Sequence, residues 1–142
     1  MYTTNENTAQ EKSKSLVAHN QCYELLYDHN SNRIYLTIKG FWKNKSVAST
    51  YLSDLKKAIQ LTKPGFTLLL DLHTMITHPP LVLSLHVEAQ KLLVAAGLKL
   101  AASVDPADHI ASLQIEDMAN QSQMPIKRFS SLVEAEIWIN SQ

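Results

Sequence analysis

The stretch Gly65-Phe66-Thr67-Leu68-Leu69-Leu70-Asp71-Leu72 determines the fold class of this chain. It is almost continuously apolar up to its single carboxylate and shows no alternation of apolar and polar residues. A strand of this kind must be covered on both faces, which requires helices above and below a largely parallel sheet. The sequence therefore predicts an α/β fold, and open α/β sheets place their sites beyond the carboxyl ends of their strands.

Composition limits the size, the partners and the location of the protein. The 142 residues, 45% of them hydrophobic, suit one domain with its own core. Its 13 basic and 13 acidic residues cancel, so we expect neither nucleic acid nor membrane as a partner. We expect a mobile polar tail over residues 1–20, without a secretory signal, and one domain over residues 21–142. The single cysteine, Cys22, fits a reducing cytoplasm.

The sequence before the central stretch predicts a β-hairpin followed by a helix. Residues 22–27 and 33–39 are rich in aromatic and branched side chains, with turn residues between them. Asn44 or Ser46 is the predicted N-cap of the helix that follows. The apolar stripe of that helix consists of Val47, Ala48, Tyr51, Leu52, Leu55, Ala58 and Ile59.

A long second helix is predicted from Pro79-Pro80 to Gly97, because proline suits the first turn of a helix and glycine its end. This helix carries two separate apolar stripes. One comprises Val82, Leu85, Ala89, Leu92, Leu93 and Ala96, and the other comprises Leu83, Val87 and Val94. A helix with two apolar faces needs two partners.

The remaining sequence continues the alternation of strands and helices. We predict strands over residues 98–104 and 124–129, a third helix capped by Asp108, and a final helix opened by a Ser131–Glu134 capping box. The predicted inward residues of these two helices are Ile110, Ala111, Ile115 and Met118, then Leu132, Ala135, Trp138 and Ile139. The fold class is thus a single small α/β domain with a mixed, mostly parallel sheet, in the order β-hairpin, then α-β-α-β-α-β-α.

This order resembles STAS-like domains, the group that includes the SpoIIAA-like anti-sigma-factor antagonists. The resemblance covers about residues 21–140 and rests on Gly40-Phe41-Trp42, Leu69-Leu70-Asp71, residues 100–104 and residues 129–139. It implies a non-enzymatic regulatory or protein-interaction module. In its best-studied branch, a partner kinase phosphorylates a serine at the start of the helix after the third strand.

The chain departs from that branch at the serine. The corresponding segment is Leu72-His73-Thr74-Met75-Ile76-Thr77-His78-Pro79-Pro80, which lacks the usual phosphorylatable serine. Thr77 is the hydroxyl nearest to the helix start, with Thr74 before it, and a phosphate there would gain from the helix dipole. Thr77 is therefore the phosphorylation candidate, and an ordinary capping or turn residue is the alternative.

The residue types required for catalysis do not form a recognisable motif. Asp71 and the histidines His73, His78 and His86 match no zinc spacing, so we expect no metal. His86 is expected on the flank of its helix, and Asp71 is expected to bind backbone amides. With three glycines and no G-x-S-x-G sequence, neither a phosphate loop nor a nucleophile elbow is present, and we expect a non-enzyme without cofactors.

Two functional hypotheses remain, with a hydrolase-type enzyme using Asp71 and nearby histidines as a distant third. In the first, Leu83, Val87 and Val94 belong to an interface with a protein partner or a second copy of the chain, unless neighbouring helices or residues 16–18 cover them. In the second, a cleft binds a small apolar, lipid-like ligand. The residues predicted to bind the ligand or partner are Phe41, Trp42, Asp71, His73, Thr74, Thr77 and His78.

Overall fold

One sheet runs through the molecule, and its strands lie side by side in chain order. The computed structural model describes residues 13–43 and 49–142. Within these ranges the strands are β1 (Lys14–His19), β2 (Tyr23–Asp28), β3 (Arg33–Ile38), β4 (Thr67–Asp71), β5 (Leu100–Val104) and β6 (Ile126–Phe129). The first three strands pair antiparallel, and β3 to β6 pair parallel. The predicted hairpin and the mostly parallel α/β sheet are confirmed.

Helices cover both faces of this sheet, but unequally. The described helices are α1 (Tyr51–Leu61), α2 (Pro80–Ala95), α3 (His109–Ser122) and α4 (Leu132–Asn140). Residues of α1, α2 and α3 share the larger apolar core with Leu68 and Leu70, whereas α4 packs on the other face against Leu69. The three consecutive leucines of β4 are thus buried on opposite sides, as a continuously apolar strand requires.

Local signals fix several helix ends where the sequence predicts them. The Asp108 side chain accepts hydrogen bonds from the amides of Ile110 and Ala111, and the Ser131 hydroxyl accepts one from Glu134. Gly97, after α2, has a φ of +102°, and a Cβ built there would lie 3.2 Å from Cα of Pro64. Only glycine fits this turn without strain.

The structure corrects the prediction at the N-terminal segment. Lys14–His19 forms β1, which pairs with β2, so the mobile tail predicted over residues 1–20 does not extend to these residues. The sequence gives little sign of this strand because it is short and lies at the edge of the sheet, where pairing with β2 holds it and Leu16 is left 63% exposed. Residues 1–12 lie outside the described residues, as do Asn44, Ser46, Val47 and Ala48. The rest of the predicted stripe lies on α1, where Tyr51, Leu55 and Ala58 are buried.

Two predicted core residues are exposed instead. Ile110 is 58% exposed and Leu132 is 41% exposed, while their helix neighbours Ala111 and Ala135 are fully buried. Both exposed side chains belong to the first two residues of their helices, next to the capping residue. Helical periodicity continues through such a first turn even where no neighbouring element lies opposite it, which is why the sequence pattern was misleading there.

Candidate functional site

The loop after β4 is bound to the segment that follows β3 at the carboxyl edge of the parallel strands. Gly40 forms an isolated parallel bridge with Met75. The amide of Gly40 donates to the carbonyl of Thr74 at 3.1 Å, and the amide of Ile76 donates to the carbonyl of Gly40 at 3.1 Å. The two segments predicted to bind a ligand or partner therefore meet at the edge where α/β folds place their sites.

Asp71 closes the turn that follows β4. Its Oδ1 accepts the backbone amide of His73 at 3.2 Å and lies 2.6 Å from Nδ1 of the same residue. The prediction that Asp71 binds backbone amides is confirmed. The His73 side chain is 60% exposed, so this pair lies at the surface and apart from the other two histidines of the predicted cluster.

His78 and His86 form a buried pair beneath the loop. Nδ1 of His78 lies 3.0 Å from Nε2 of His86, and Nε2 of His78 lies 3.0 Å from the carbonyl oxygen of Gly40. Burial lowers the pKa of both rings, to about 3 for His86, where the neighbouring His78 adds to the effect. Both imidazoles are therefore neutral at pH 7.

The position predicted for His86, on the flank of α2, was wrong. The residue is 2% exposed and contacts the rings of Trp42 and Tyr51. His86 follows Leu85, which belongs to the predicted inner stripe, and the buried face of α2 is wide enough to include both. A histidine in an apolar helix gives no sequence signal that would distinguish a buried ring from a flanking one.

Trp42 is a core residue, whereas its neighbour Phe41 faces solvent. The Trp42 ring is fully buried and stacks on His78 at 5.3 Å between centroids, and its Nε1 donates to the carbonyls of Cys22 and Lys39. Phe41 is 54% exposed. Trp42 thus anchors the segment after β3 as a packed core residue.

Thr77 is held by the first turn of α3. Its amide and its Oγ1 both donate to Oδ2 of Asp108 at 3.3 Å, while Oδ1 of Asp108 caps the helix. These bonds, with the amide of Ala111 as the largest contributor, lower the pKa of the Asp108 carboxyl, which is ionised at neutral pH. Thr74, which precedes Thr77 in the same loop, is exposed.

A second clamp from α3 fixes the next residue of the loop. The Gln114 side chain accepts the amide of His78 at 3.0 Å and donates to its carbonyl at 3.1 Å. Sequence analysis missed Gln114, and it missed the bond from Asp108 to Thr77. Both contacts join residues more than 30 positions apart, and a polar helix residue resembles an ordinary solvated one in the sequence.

Exposed apolar side chains occur on this clamped loop and on the segments bonded to it. Each lies on one of the segments that come together at the carboxyl edge of the parallel strands, and each is at least 50% exposed. We call these residues the edge patch: Phe41, Ile76, Leu81, Ile110 and Leu113. Apolar side chains are common on protein surfaces one at a time, but a group on adjoining segments is typical of a contact site.

The second apolar stripe of α2 lies mostly against α3. Leu83 and Val87 line a groove between the two helices, together with Met118 and Asp117. Val87 is buried and Leu83 is half-buried against the main core, whereas Val94 is 36% exposed and does not line the groove. The neighbouring helix therefore covers much of the stripe predicted as an interface.

Residues 13–43 and 49–142 contain no group of three or more His, Cys, Asp or Glu side chains arranged to hold a metal ion. In the same ranges, none of the helices combines the length and the apolar character needed to cross a membrane.

Comparison with known proteins identifies a related architecture. No protein-family model matches the chain, and curated protein sequences give no significant match. Among solved structures, the chain is similar to SiaC of Pseudomonas aeruginosa, with a TM-score of 0.53 and 12% sequence identity. The match covers 82% of this chain and 99% of that one. At this identity the likeness concerns the fold.

Proposed function

We propose that the protein is a regulatory, protein-interaction module whose recognition surface is the edge patch at the carboxyl end of the sheet. The observation that carries this proposal is the exposure of five large apolar side chains around one clamped loop. Apolar groups of this kind are costly to leave in water, and they become useful when a partner covers them.

The rigidity of the loop supports the same proposal. Thr77 is bonded to Asp108, His78 is bonded to Gln114, and Gly40 is bonded to Thr74 and Ile76. A surface fixed before binding loses less conformational entropy when a partner arrives, so more of the contact energy is retained as affinity. The partner is a protein, and a second copy of this chain is one candidate for it.

The same arrangement supports a non-enzymatic role. The neutral His78–His86 pair is sealed behind Trp42, and Asp71 is occupied by its own turn. A general acid or base must reach a substrate. The histidine pair is closed off from solvent, and Asp71, although it borders a surface groove, is engaged by the turn that follows it. The enzyme hypothesis based on Asp71 and the histidines has no such support.

Thr77 is the proposed point of regulation. A phosphate on Oγ1 would bring about 1.5 to 2 negative charges next to the ionised Asp108 carboxylate and would displace the present hydrogen bond. The loop would then separate from α3 in the middle of the edge patch. Intact-mass analysis of protein from its native host tests this proposal, and protein that never carries a phosphate would rule it out.

The recognition surface is tested by affinity purification from the native host with paired variants. Ile110→Asp and Leu113→Asp place charge within the edge patch, whereas Val133→Asp and Ile137→Asp alter equally exposed positions on α4, across the sheet. We expect a protein that co-purifies in stoichiometric amount with wild type and the α4 variants to be lost from the patch variants. Retention by all four variants would refute the assigned surface.

Self-association is measured with the same variants by light scattering. If the partner is a second copy, wild type and the α4 variants should have the mass of a dimer and the patch variants the mass of a monomer.

The lipid-like ligand remains the alternative function, with less support, because the cavity beside His86 measures only about 20 Å³.

A further inference from the structure

The hydrogen-bond directions within the histidine pair can be derived from one carbonyl group. The oxygen of Gly40 can only accept, so Nε2 of His78 carries a proton and donates to it. Because His78 is neutral, its Nδ1 is then unprotonated and must accept the bond from Nε2 of His86. Both rings are therefore Nε2–H tautomers, and Nδ1 of His86 carries a bare lone pair.

That lone pair has no hydrogen-bond partner among the protein atoms of the described residues. His86 is 2% exposed, so bulk water does not reach the atom either. A buried acceptor without a donor costs about 1–3 kcal/mol, and native proteins rarely leave one unsatisfied.

A cavity lies beside the ring of His86, between the sheet and the helices α2 and α3. Its volume is about 20 Å³, which is enough for one water molecule. The wall is largely apolar and includes three thioethers, and the side chains in it that carry polar atoms are those of Tyr51, His86 and Gln90. The residues that line the cavity include Tyr51, Leu70, Met75, His86, Gln90 and Met118.

We propose that this cavity is a binding site for one small neutral hydrogen-bond donor, anchored on Nδ1 of His86 and supplied in the isolated protein by a water molecule. An anion is excluded because it would oppose the lone pair. A cation would have to lose its hydration in an apolar wall without a carboxylate in the lining. A neutral hydroxyl satisfies the acceptor at no such cost.

The guest has a structural consequence for the loop above it. A donor on Nδ1 fixes the tautomer of His86, which fixes the direction of its bond to His78 and so the bond from His78 to Gly40. The occupied cavity therefore belongs to the scaffold that positions the segment around Gly40. This inference does not depend on the function proposed for the edge patch.

The tautomers are tested first, by long-range ¹H–¹⁵N correlation of the histidine rings at pH 7. We expect the Nε2–H pattern for both His78 and His86, with Nδ1 of His86 unprotonated. A proton on Nδ1 of His86, or an imidazolium at either position, would overturn the proposal.

Occupancy is tested on the same protein with labelled methionine and leucine methyl groups. Rotating-frame cross-peaks from water should reach the methyl of Met118 or Leu70 and disappear in His86→Phe, which removes the acceptor. Because this variant removes a buried hydrogen bond, Met118→Leu serves as a second variant that keeps the acceptor and should retain the water signal at Leu70.

Added methanol, the smallest organic hydroxyl, distinguishes water from an organic guest. Loss of the water cross-peak together with shifts of the same methyl groups would assign an organic hydroxyl to the site and support the ligand class. Persistence of the water cross-peak would identify water as the guest. Absence of any water signal in the wild-type protein, with no response to methanol, would contradict the proposal.

Discussion

The buried histidine pair links the chemistry of single residues to stability. A histidine in the unfolded chain titrates near pH 6.5, whereas the pKa of folded His86 is about 3. Between these values the unfolded chain binds more protons than the folded one, so the free energy of unfolding falls as the pH is lowered. With respect to His86, the free energy of unfolding is therefore at its full value above about pH 6.5 and falls progressively as the pH is lowered below that value.

We therefore expect the wild-type protein to lose more stability in mild acid than the variant His86→Phe. At about 1.4 kcal/mol per pH unit, the additional loss between pH 6.5 and pH 5 is about 2 kcal/mol. Urea unfolding at the two pH values measures it. Equal losses in the two proteins would show that His86 is not buried in its neutral form.

Two turns contain a glycine with positive φ but differ in the space available for a side chain, which allows a matched comparison. Gly97 and Gly65 both have positive φ, but a Cβ at Gly97 would lie 3.2 Å from Pro64, while Gly65 has open space around it. Gly65→Ala should cost about 1–2 kcal/mol for the left-handed backbone alone, and Gly97→Ala should cost more. Thermal unfolding of both variants checks the order, and an inverted order would contradict the packing of Gly97 on Pro64.

At the scale of elements, α3 is attached to the loop by its cap as well as by its packed face. Asp108 uses one carboxylate oxygen for the helix and the other for Thr77. Ser131 caps α4 through the amide of Glu134 in the ordinary way. The two helices therefore offer a direct comparison between a cap that joins two elements and a cap that serves one.

Asp108→Ala should destabilise the protein by about 1–2 kcal/mol and increase amide hydrogen exchange in residues 74–78. Ser131→Ala should cost about 1 kcal/mol and leave exchange in that segment unchanged. Asp108→Ser retains a capping oxygen, so it should recover helix stability without restoring protection of the loop. Unchanged exchange in Asp108→Ala would disprove the link between α3 and Thr77.

Elements with strong local signals could be predicted from the sequence, and contacts between distant residues could not. The apolar run of β4, the prolines before α2 and the Asp108 cap each act within a few positions, and each matches the structure. The strand β1 depends on pairing with β2, and the Gln114 clamp joins positions 36 residues apart. Such features arise only when the tertiary structure brings the two partners together.

The candidate site shows the same difference between features with local signals and features that depend on distant residues. The location of the site was predicted from the strand order. Asp71, the last residue of β4, accepts a backbone amide as the sequence predicts. The role of His86 was missed because burial of a polar ring depends on its partner, His78, and on the stacked Trp42. The edge patch was also missed, since Ile110 matched the periodicity of a core residue although its side chain is 58% exposed.

The whole molecule is an asymmetric sheet sandwich with a fixed edge. Among the described elements, α1, α2 and α3 bury one face and α4 packs on the other, which gives a stable base for the loops at the carboxyl end. The architecture is shared with SiaC of Pseudomonas aeruginosa, while the sequences are only 12% identical. Shared architecture with divergent sequence means that function must be sought in the residues at the edge.

The most direct test of this account is hydrogen–deuterium exchange on the complex with the co-purified partner, compared with the free protein. We predict slower exchange in residues 73–81 and 109–114 on binding, with no change in α4. Protection confined to α4 or to β1, with the loop segments unaffected, would contradict the assignment of the edge patch as the recognition surface.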